Sequence, residues 1–478
     1  MMKTKKILTL LLIICMVSAL SIMTACSNTK KQTEDLSTKL NSKLDAYKTD
    51  LQDSASTMNT NANIKSYLTS WAESKGISYT TDSAGNVIMT VKAGKDYKSA
   101  APTVILCPYD KNQFSNYINP IAMALYTVKN NENTGKLTVI FTQEAGHDFS
   151  GVKSLSSKYF TDDSNVFCLN GGQKGLFALK SGASSTYTFT EAVDHKTPSY
   201  TKAYKITITG LPGGQPDSKI SKVVNPITKL ESLLASLKSS SIGYELASFN
   251  GGNDSTLYAK SASITIVVDA DKETSFKDKM DSQTQKFNEK NKDDLPGAKY
   301  SYKAVAMPSS VLTTESCSKF VSFMYTLFDG VYHGSNNSDN NNDETMAINS
   351  IGTIRTTDTS IVINSVAYSL DKATLSEIDS GNKTLCSLSD VSYKKTGSID
   401  LWTGKSNSAF AKAVSDAYDK YTSQALTYTD SVTSSSASFI KQKNKKCNIM
   451  CITVNDNVVK DCTGTLVTFL QNSNSTSK

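Results

Sequence analysis

Short, largely apolar runs separated by helix-length segments mark the first 200 residues and return near the C-terminus. Residues 102–107, 137–142 and 165–169 are three such runs, residues 118–128 have the spacing of a helix, and residues 447–454 supply a fourth run. Strands that are apolar on both faces belong to a parallel sheet covered by helices, so this pattern predicts an α/β core. At about Tyr204 the pattern changes, because Tyr204, Ile206 and Ile208 alternate with polar residues, as in a strand wet on one face. Beyond it, residues 220–237 have helical spacing with a kink expected at Pro226. Residues 244–249 and 262–268 then read as strands, and 275–291 as a polar helix. A similar order recurs over 300–306, 317–328, 347–355, 360–367 and 372–378. The recurrence predicts a duplicated α+β insertion within the α/β core. Residues 334–343 are mostly Asn, Ser and Asp, with nothing apolar to bury, and read as a mobile loop.

The N-terminus changes the picture of where the chain works. Lys3, Lys5 and Lys6 precede an apolar stretch over 7–22, which is too short to span a membrane stably and reads as an export signal. It ends in Met23-Thr24-Ala25-Cys26. This resembles the bacterial lipobox, an aliphatic residue and two small residues before a cysteine. The resemblance implies cleavage before Cys26, diacylation of its sulfur, and an extracytoplasmic chain anchored to the bacterial cell membrane. The plainer alternative, a secretory signal cut nearby with Cys26 incidental, also exports the chain. On this reading residues 1–25 are the lipoprotein signal peptide, 26–34 a lipidated tether, and 35–63 open the folded part with an amphipathic helix.

With 478 residues and 20% of them charged, the chain has room for two or three domains and the composition of a globular protein. The net charge of +7 includes the three signal lysines, and no long basic block or aromatic–basic interleaving follows. Nucleic acid is therefore not an expected partner. Apart from Cys15 and Cys26, seven cysteines remain: Cys107, Cys168, Cys317, Cys386, Cys447, Cys451 and Cys462. An odd number cannot all pair internally, and Cys107, Cys168 and Cys451 sit in apolar runs where a thiol acts as a small hydrophobe. No disulfide framework is expected.

Ligands of open α/β sheets gather at the carboxyl ends of strands. Those ends read Cys107-Pro108-Tyr109-Asp110, Thr142-Gln143-Glu144-Ala145-Gly146 and Leu169-Asn170-Gly171-Gly172. Two further turns are Gly210-Leu-Pro-Gly-Gly-Gln215 and Gly251-Gly-Asn-Asp-Ser-Thr256-Leu-Tyr-Ala259. In this order, over roughly residues 35–470, the chain resembles the M20 metallopeptidases, specifically the aminoacyl-histidine (Xaa-His) dipeptidases. There the strand ends read Gly-His-Leu-Asp, Asp-Glu-Glu-x-Gly and Leu-Asp-Ser-Glu, and the lid carries Gly-x-Gly-Gly-His-Ser-Gly and Gly-Gly-x-x-x-Asn-Ala-Ile-Pro. The resemblance implies a catalytic-like α/β core over 35–200 and 386–478, with the lid over 201–385.

The resemblance also assigns roles that this chain does not keep. The first metal histidine falls on Pro108, the bridging aspartate near Asn116, the next metal aspartate on Asn170 and the last metal histidine on Cys462. The metal glutamate is kept as Glu144 and the orienting aspartate as Asp110. The general base falls on Gln143, and the lid histidine that stabilises the transition state falls on Gln215. A two-zinc hydrolase needs imidazole and carboxylate ligands and a carboxylate base, so neither metal, cofactor nor catalysis is expected. Glu144 reads as a polar residue at a strand end, and His147, His195 and His333 match no ligand position and read as surface or loop residues.

The leading expectation is thus a surface lipoprotein with an M20 dipeptidase-like fold that binds a peptide, an amino-acid derivative or another protein without catalysis. One alternative is a zinc-dependent dipeptidase or amidohydrolase with a rearranged site, and another is a surface scaffold. A soft metal site built from Cys107, Cys168, Cys462 and Glu144 is a narrower alternative. For a cysteine nucleophile aided by His147, nothing in the sequence places the two together. Lids of this family often mediate dimers, so the resemblance leaves a homodimer open.

Overall fold

The computed structural model describes residues 36–131, 134–172, 175–214, 216, 224–333 and 345–472. Cys26, Gln215 and the loop expected over 334–343 lie outside the described residues. The chain opens with helix α1 (residues 36–53), which buries Leu40, Leu44 and Leu51. The single helix expected over 35–63 is in fact broken. Thr60 is an N-cap whose side chain accepts from the Asn63 N–H, and it starts a second helix, α2 (Asn61–Ser74), with Ile64, Leu68 and Trp71 buried.

The core sheet has seven strands. They are β1 (Ser78–Thr81), β2 (Val87–Val91), β3 (Thr103–Tyr109), β4 (Leu137–Gln143), β5 (Asn165–Gly171), β6 (Leu176–Ala178) and the strand Asn448–Val454, in the order β1-β2-β4-β3-β5-(Asn448–Val454)-β6. The four apolar runs read from the sequence are the four central strands, and they are mutually parallel. The outer strands β1, β2 and β6 each pair antiparallel with the neighbour on their inner side, which the runs alone did not predict; β1 in particular has no buried residue. Helix α3 (Phe114–Lys129) and the last helix, Val459–Asn472, pack against each other beside the central strands.

The lid is an antiparallel sheet of nine strands with its own hydrophobic core. Its order is symmetric about the middle. One half runs Lys299–Ala304, Lys202–Thr209, Ala262–Val268, Tyr244–Gly251; the other runs Thr345–Thr356, Ser360–Ser369, Ala183–Ala192, Ser392–Ile399, and the ninth strand, Gly330–His333, pairs with Thr345–Thr356 off this path. Each half carries two helices, Pro226–Ser239 and Glu273–Asn291 in the first, Thr314–Thr326 and Lys372–Ser389 in the second. The duplication is therefore present, but its partition differs from the sequence reading. The strand near residue 300 closes the first unit, and the second unit opens with Ala183–Ala192, upstream of the whole first unit. The lid sheet thus draws strands from both sides of the 201–385 segment. Ala183–Ala192 hid from the hydrophobic pattern because its inward face includes Ser185 and Glu191 among Ala183, Tyr187 and Phe189.

Pro226 starts its helix rather than kinking it. Asn225 is the N-cap, its side chain accepting from the Ile227 N–H, and proline at the first helical position forfeits no intrahelical hydrogen bond.

The two halves of the lid meet at a thin seam, where Gly251 pairs with Ile354. Side chains complete what the ladder lacks there. Thr356 Oγ1 accepts from the Phe249 N–H at 2.8 Å and lies 3.0 Å from the Phe249 carbonyl. Arg355, the one arginine in the sequence, donates from Nη1 to the carbonyls of Gly251 and Ile354 and from Nη2 to that of Gly252. A planar guanidinium spreads five fixed donors over three nitrogens, whereas an ammonium gathers its three at one atom on a flexible stem. Arg355→Lys is expected to lower stability by about 1 kcal/mol, read as a fall in the denaturant midpoint at unchanged slope. An unchanged midpoint would show that the seam does not depend on the guanidinium.

Candidate functional site

Side chains alternate along a strand, and the four central strands run in parallel register, so each sends every second residue to the same face. At their carboxyl ends that face carries Leu106 and Pro108 from β3, Thr142 and Glu144 from β4 and the residue after it, Cys168 and Asn170 from β5, and Cys451 and Thr453 from the last strand. These residues floor a small cleft that is partly open to solvent. Tyr117 of α3, His147, Phe149 and the segment Ser431, Thr433, Ser434, Ser435 and Ser436 complete its walls.

Glu144 is buried, and its Oε2 accepts from the Gly151 N–H at 3.0 Å, at the start of the short helix Ser150–Ser154. Burial pushes its carboxyl up to about 7, opposed by hydrogen bonds from Thr142, Gly151 and Val152. It is therefore poised between its charged and neutral forms near neutral pH.

His147 is also buried, which corrects its reading as a surface or loop residue. Its backbone N–H donates to Thr256 Oγ1 at 3.0 Å, and its Nε2 lies 3.0 Å from the Ser434 carbonyl. A carbonyl only accepts, so the imidazole carries its proton on Nε2. Burial lowers its pKa to about 4, and the ring packs edge-on to Phe149, 4.2 Å between centroids. The reason for its burial is the lid. The loop after Tyr244–Gly251 folds down beside it, and Gly146, at φ 66°, lies so close to Asp254 that a Cβ there would overlap the carboxylate. His195 lies in a two-residue strand of the lid, and His333 ends the strand Gly330–His333.

The other expected positions divide. Pro108 and Asn170 line the cleft, and Asn170 Oδ1 accepts from the Gly171 N–H at 3.0 Å. Gln143 points the other way, its Oε1 3.1 Å from the Tyr109 hydroxyl and close against Gly85. Asn116 lies in the first turn of α3, donating to Gln113 Oε1 at 2.6 Å, with its carbonyl so near Gly171 that no side chain fits there. Asp110 is buried and ties two loops together by accepting from the N–H groups of Asn112 and Gly146. Cys462 is buried in the last helix and Cys107 in the core, so neither meets Cys168 at the cleft. The soft site imagined from Cys107, Cys168 and Cys462 is not assembled; the thiol beside Cys168 is Cys451.

No protein-family model matches the sequence, and no curated protein matches it. Solved structures do. The aminoacylhistidine dipeptidase of Vibrio alginolyticus superposes with a TM-score of 0.54 at 15% identity, covering 85% of this chain and 92% of that one. The fold is that of the M20 dipeptidases. Dug1p, a dipeptidase of Saccharomyces cerevisiae, gives a TM-score of 0.49 at 10% identity, and human carnosine dipeptidase 1 gives 0.49 at 8%, each over 93% of this chain and 99% of its own.

On this M20-like fold, the donors around the cleft are one carboxyl held by helix N–H groups, one neutral imidazole bonded to a carbonyl, and two thiols side by side. Among the described residues, no group of three or more His, Cys, Asp and Glu side chains is placed to hold a metal ion. This donor set does not fit the two-zinc centre that the resemblance implies. The residues that sequence reasoning missed are His147, Cys451 and the Ser/Thr segment. The last left only a faint signal, the polar run 429–438 ahead of a buried strand.

The opposed pKa shifts predict a pH signature. The raised Glu144 pKa contributes stability that is fully present below about 4.5 and lost as pH rises through about 7. The lowered His147 pKa contributes stability present above about 6.5 and lost as pH falls through about 4. Relative to Glu144→Gln, the wild type should lose up to about 3 kcal/mol between pH 4.5 and 7 and nothing further above. Parallel stability–pH curves for the two proteins would contradict a raised Glu144 pKa.

Proposed function

We propose that this chain is a cell-surface lipoprotein whose M20-like cleft binds peptides or amino-acid derivatives without hydrolysing them. The observation that carries the reading is a cleft kept at the carboxyl ends of the parallel strands while its potential metal donors are engaged with the protein itself. Its polar wall offers the hydroxyls and amides that peptide groups need, namely Thr142, Asn170, Thr453 and the serines of 431–436. Ser434 Oγ is buried at this wall and has no hydrogen-bond partner among the described residues. Among the described residues, no lysine or arginine lines the cleft, and Glu144 is its one carboxylic acid. A ligand bearing a free amino terminus matches that charge balance, with the ammonium directed to ionised Glu144.

Lipid anchoring is supported by Met23-Thr24-Ala25-Cys26 behind a basic and apolar start. Cys26→Ser is expected to abolish incorporation of labelled fatty acid and move the chain out of the membrane fraction. Retained label would place the modification elsewhere.

The cleft is tested on the soluble chain from Ser27 onward, purified without chelator, incubated with excess zinc and desalted. Elemental analysis should find well under one equivalent of zinc, and dipeptides should remain intact. A dipeptide with a free amino terminus should raise the melting temperature, by about 2.7 kcal/mol of stability at a hundredfold excess over Kd. Its N-acetylated form, and the free dipeptide on Glu144→Gln, should do so much less. One or two retained zincs with hydrolysis would establish the enzyme reading instead, and no response to any peptide would leave a scaffold.

A further inference from the structure

Cys168 and Cys451 are register partners on adjacent parallel strands. Such strands lie about 4.8 Å apart, inside the Cα separation of about 4.4–6.8 Å that a disulfide spans. Both side chains line the cleft, so they leave the sheet on the same face; the next partners on that face are Asn170 and Thr453. The two thiols interact directly, and hydroxyls close over them: Cys451 Sγ lies 3.2 Å from Ser435 Oγ, and Ser436 lies beside Cys168. Among the described residues no other two cysteines are strand register partners. Cys107 pairs with Phe141, Cys447 bonds the Thr161 carbonyl, Cys386 and Cys462 lie in separate helices, and Cys317 lies in a lid helix.

We propose that Cys168 and Cys451 form a reversible disulfide across the floor of the cleft, with small aliphatic disulfides as the oxidant. Both residues line the cleft and both are buried, so the oxidant reaches them only from the cleft side. In the first step one cysteine, as thiolate, attacks a sulfur of the small disulfide, breaking its S–S bond and releasing one small thiolate. The second cysteine then loses its proton and attacks the first cysteine's own Sγ in the mixed disulfide, forming the Cys168–Cys451 bond and releasing the other small thiolate. In sum two protein thiols lose two protons and two electrons, and the small disulfide gains both pairs as two thiols. The interaction with the Cys451 thiol, and then burial, hold the Cys168 thiol well above its ordinary pKa, so exchange is slow at neutral pH and accelerates as pH rises. Oxidation removes two S–H donors beneath Ser435 and Ser436 and fixes β5 to the last strand where a ligand would rest. This inference stands on the thiol geometry and holds whether the cleft binds peptides or not.

The test uses the full-length protein in detergent, reduced, desalted, and treated while folded with bis(2-hydroxyethyl) disulfide. Remaining thiols are alkylated, and the digest is mapped by mass spectrometry without reduction. The expected product is one linked peptide pair containing Cys168 and Cys451, with both lost from the alkylated pool and both restored by dithiothreitol. Cys168→Ser and Cys451→Ser should each stop at a mixed disulfide of the remaining partner. Linkage of either cysteine to a different one, alkylation of both after oxidation, or mixed disulfides that persist in the wild type would each overturn the proposal. The wild-type map decides the question even if a variant fails to fold.

Discussion

The in-phase parallel pairing of four strands is the constraint on which the rest of the molecule depends. Thr103 pairs with Leu137 and with Asn165, and Asn448 pairs with Asn165, so the strands advance together. A slip of one residue in any of them would turn its cleft-facing pair into the core and bring the alternate residues out. Leu106, Pro108, Thr142, Cys168, Asn170, Cys451 and Thr453 share a surface for this reason alone. The loops that leave the same ends then close the space above them, and Asp110 holds two of those loops together through backbone N–H groups.

The lid acts on the core through a few polar contacts at one loop. Asp254 accepts from the Thr256 N–H and hydroxyl, and Thr256 in turn accepts from the His147 N–H. Lys260 reaches the Asn112 carbonyl, and the Tyr368 hydroxyl lies near the Thr256 carbonyl. A chain of this kind couples the position of the lid to the wall of the cleft. It also explains why His147 stays neutral: the imidazole has been taken out of water by a neighbour from another part of the chain.

The central strands were legible because their apolar runs carry their own signature, and the order of strand-end motifs was enough to see the fold. What the sequence concealed follows from the same physics. A strand such as Ala183–Ala192 that buries serine and glutamate breaks the alternation that marks a strand. Pro226 looks like a helix breaker until its position as the first helical residue is known. In the cleft, Pro108, Glu144 and Asn170 could be placed from β-strand ends, whereas His147, Cys451 and Ser434 come together only through long-range packing. Cys462 was assigned by its place near the C-terminus, but the last strand leads directly into a helix that buries it.

Arg355 gives the lid an unusual experimental property. It is exposed, it bridges the two halves of the sheet, and every other strongly basic side chain in the protein is a lysine. A dicarbonyl reagent selective for guanidinium groups would therefore label the whole molecule at one place. The rate of that labelling reports how often the guanidinium leaves the carbonyls of Gly251, Gly252 and Ile354, so the chain carries a single built-in probe of that contact.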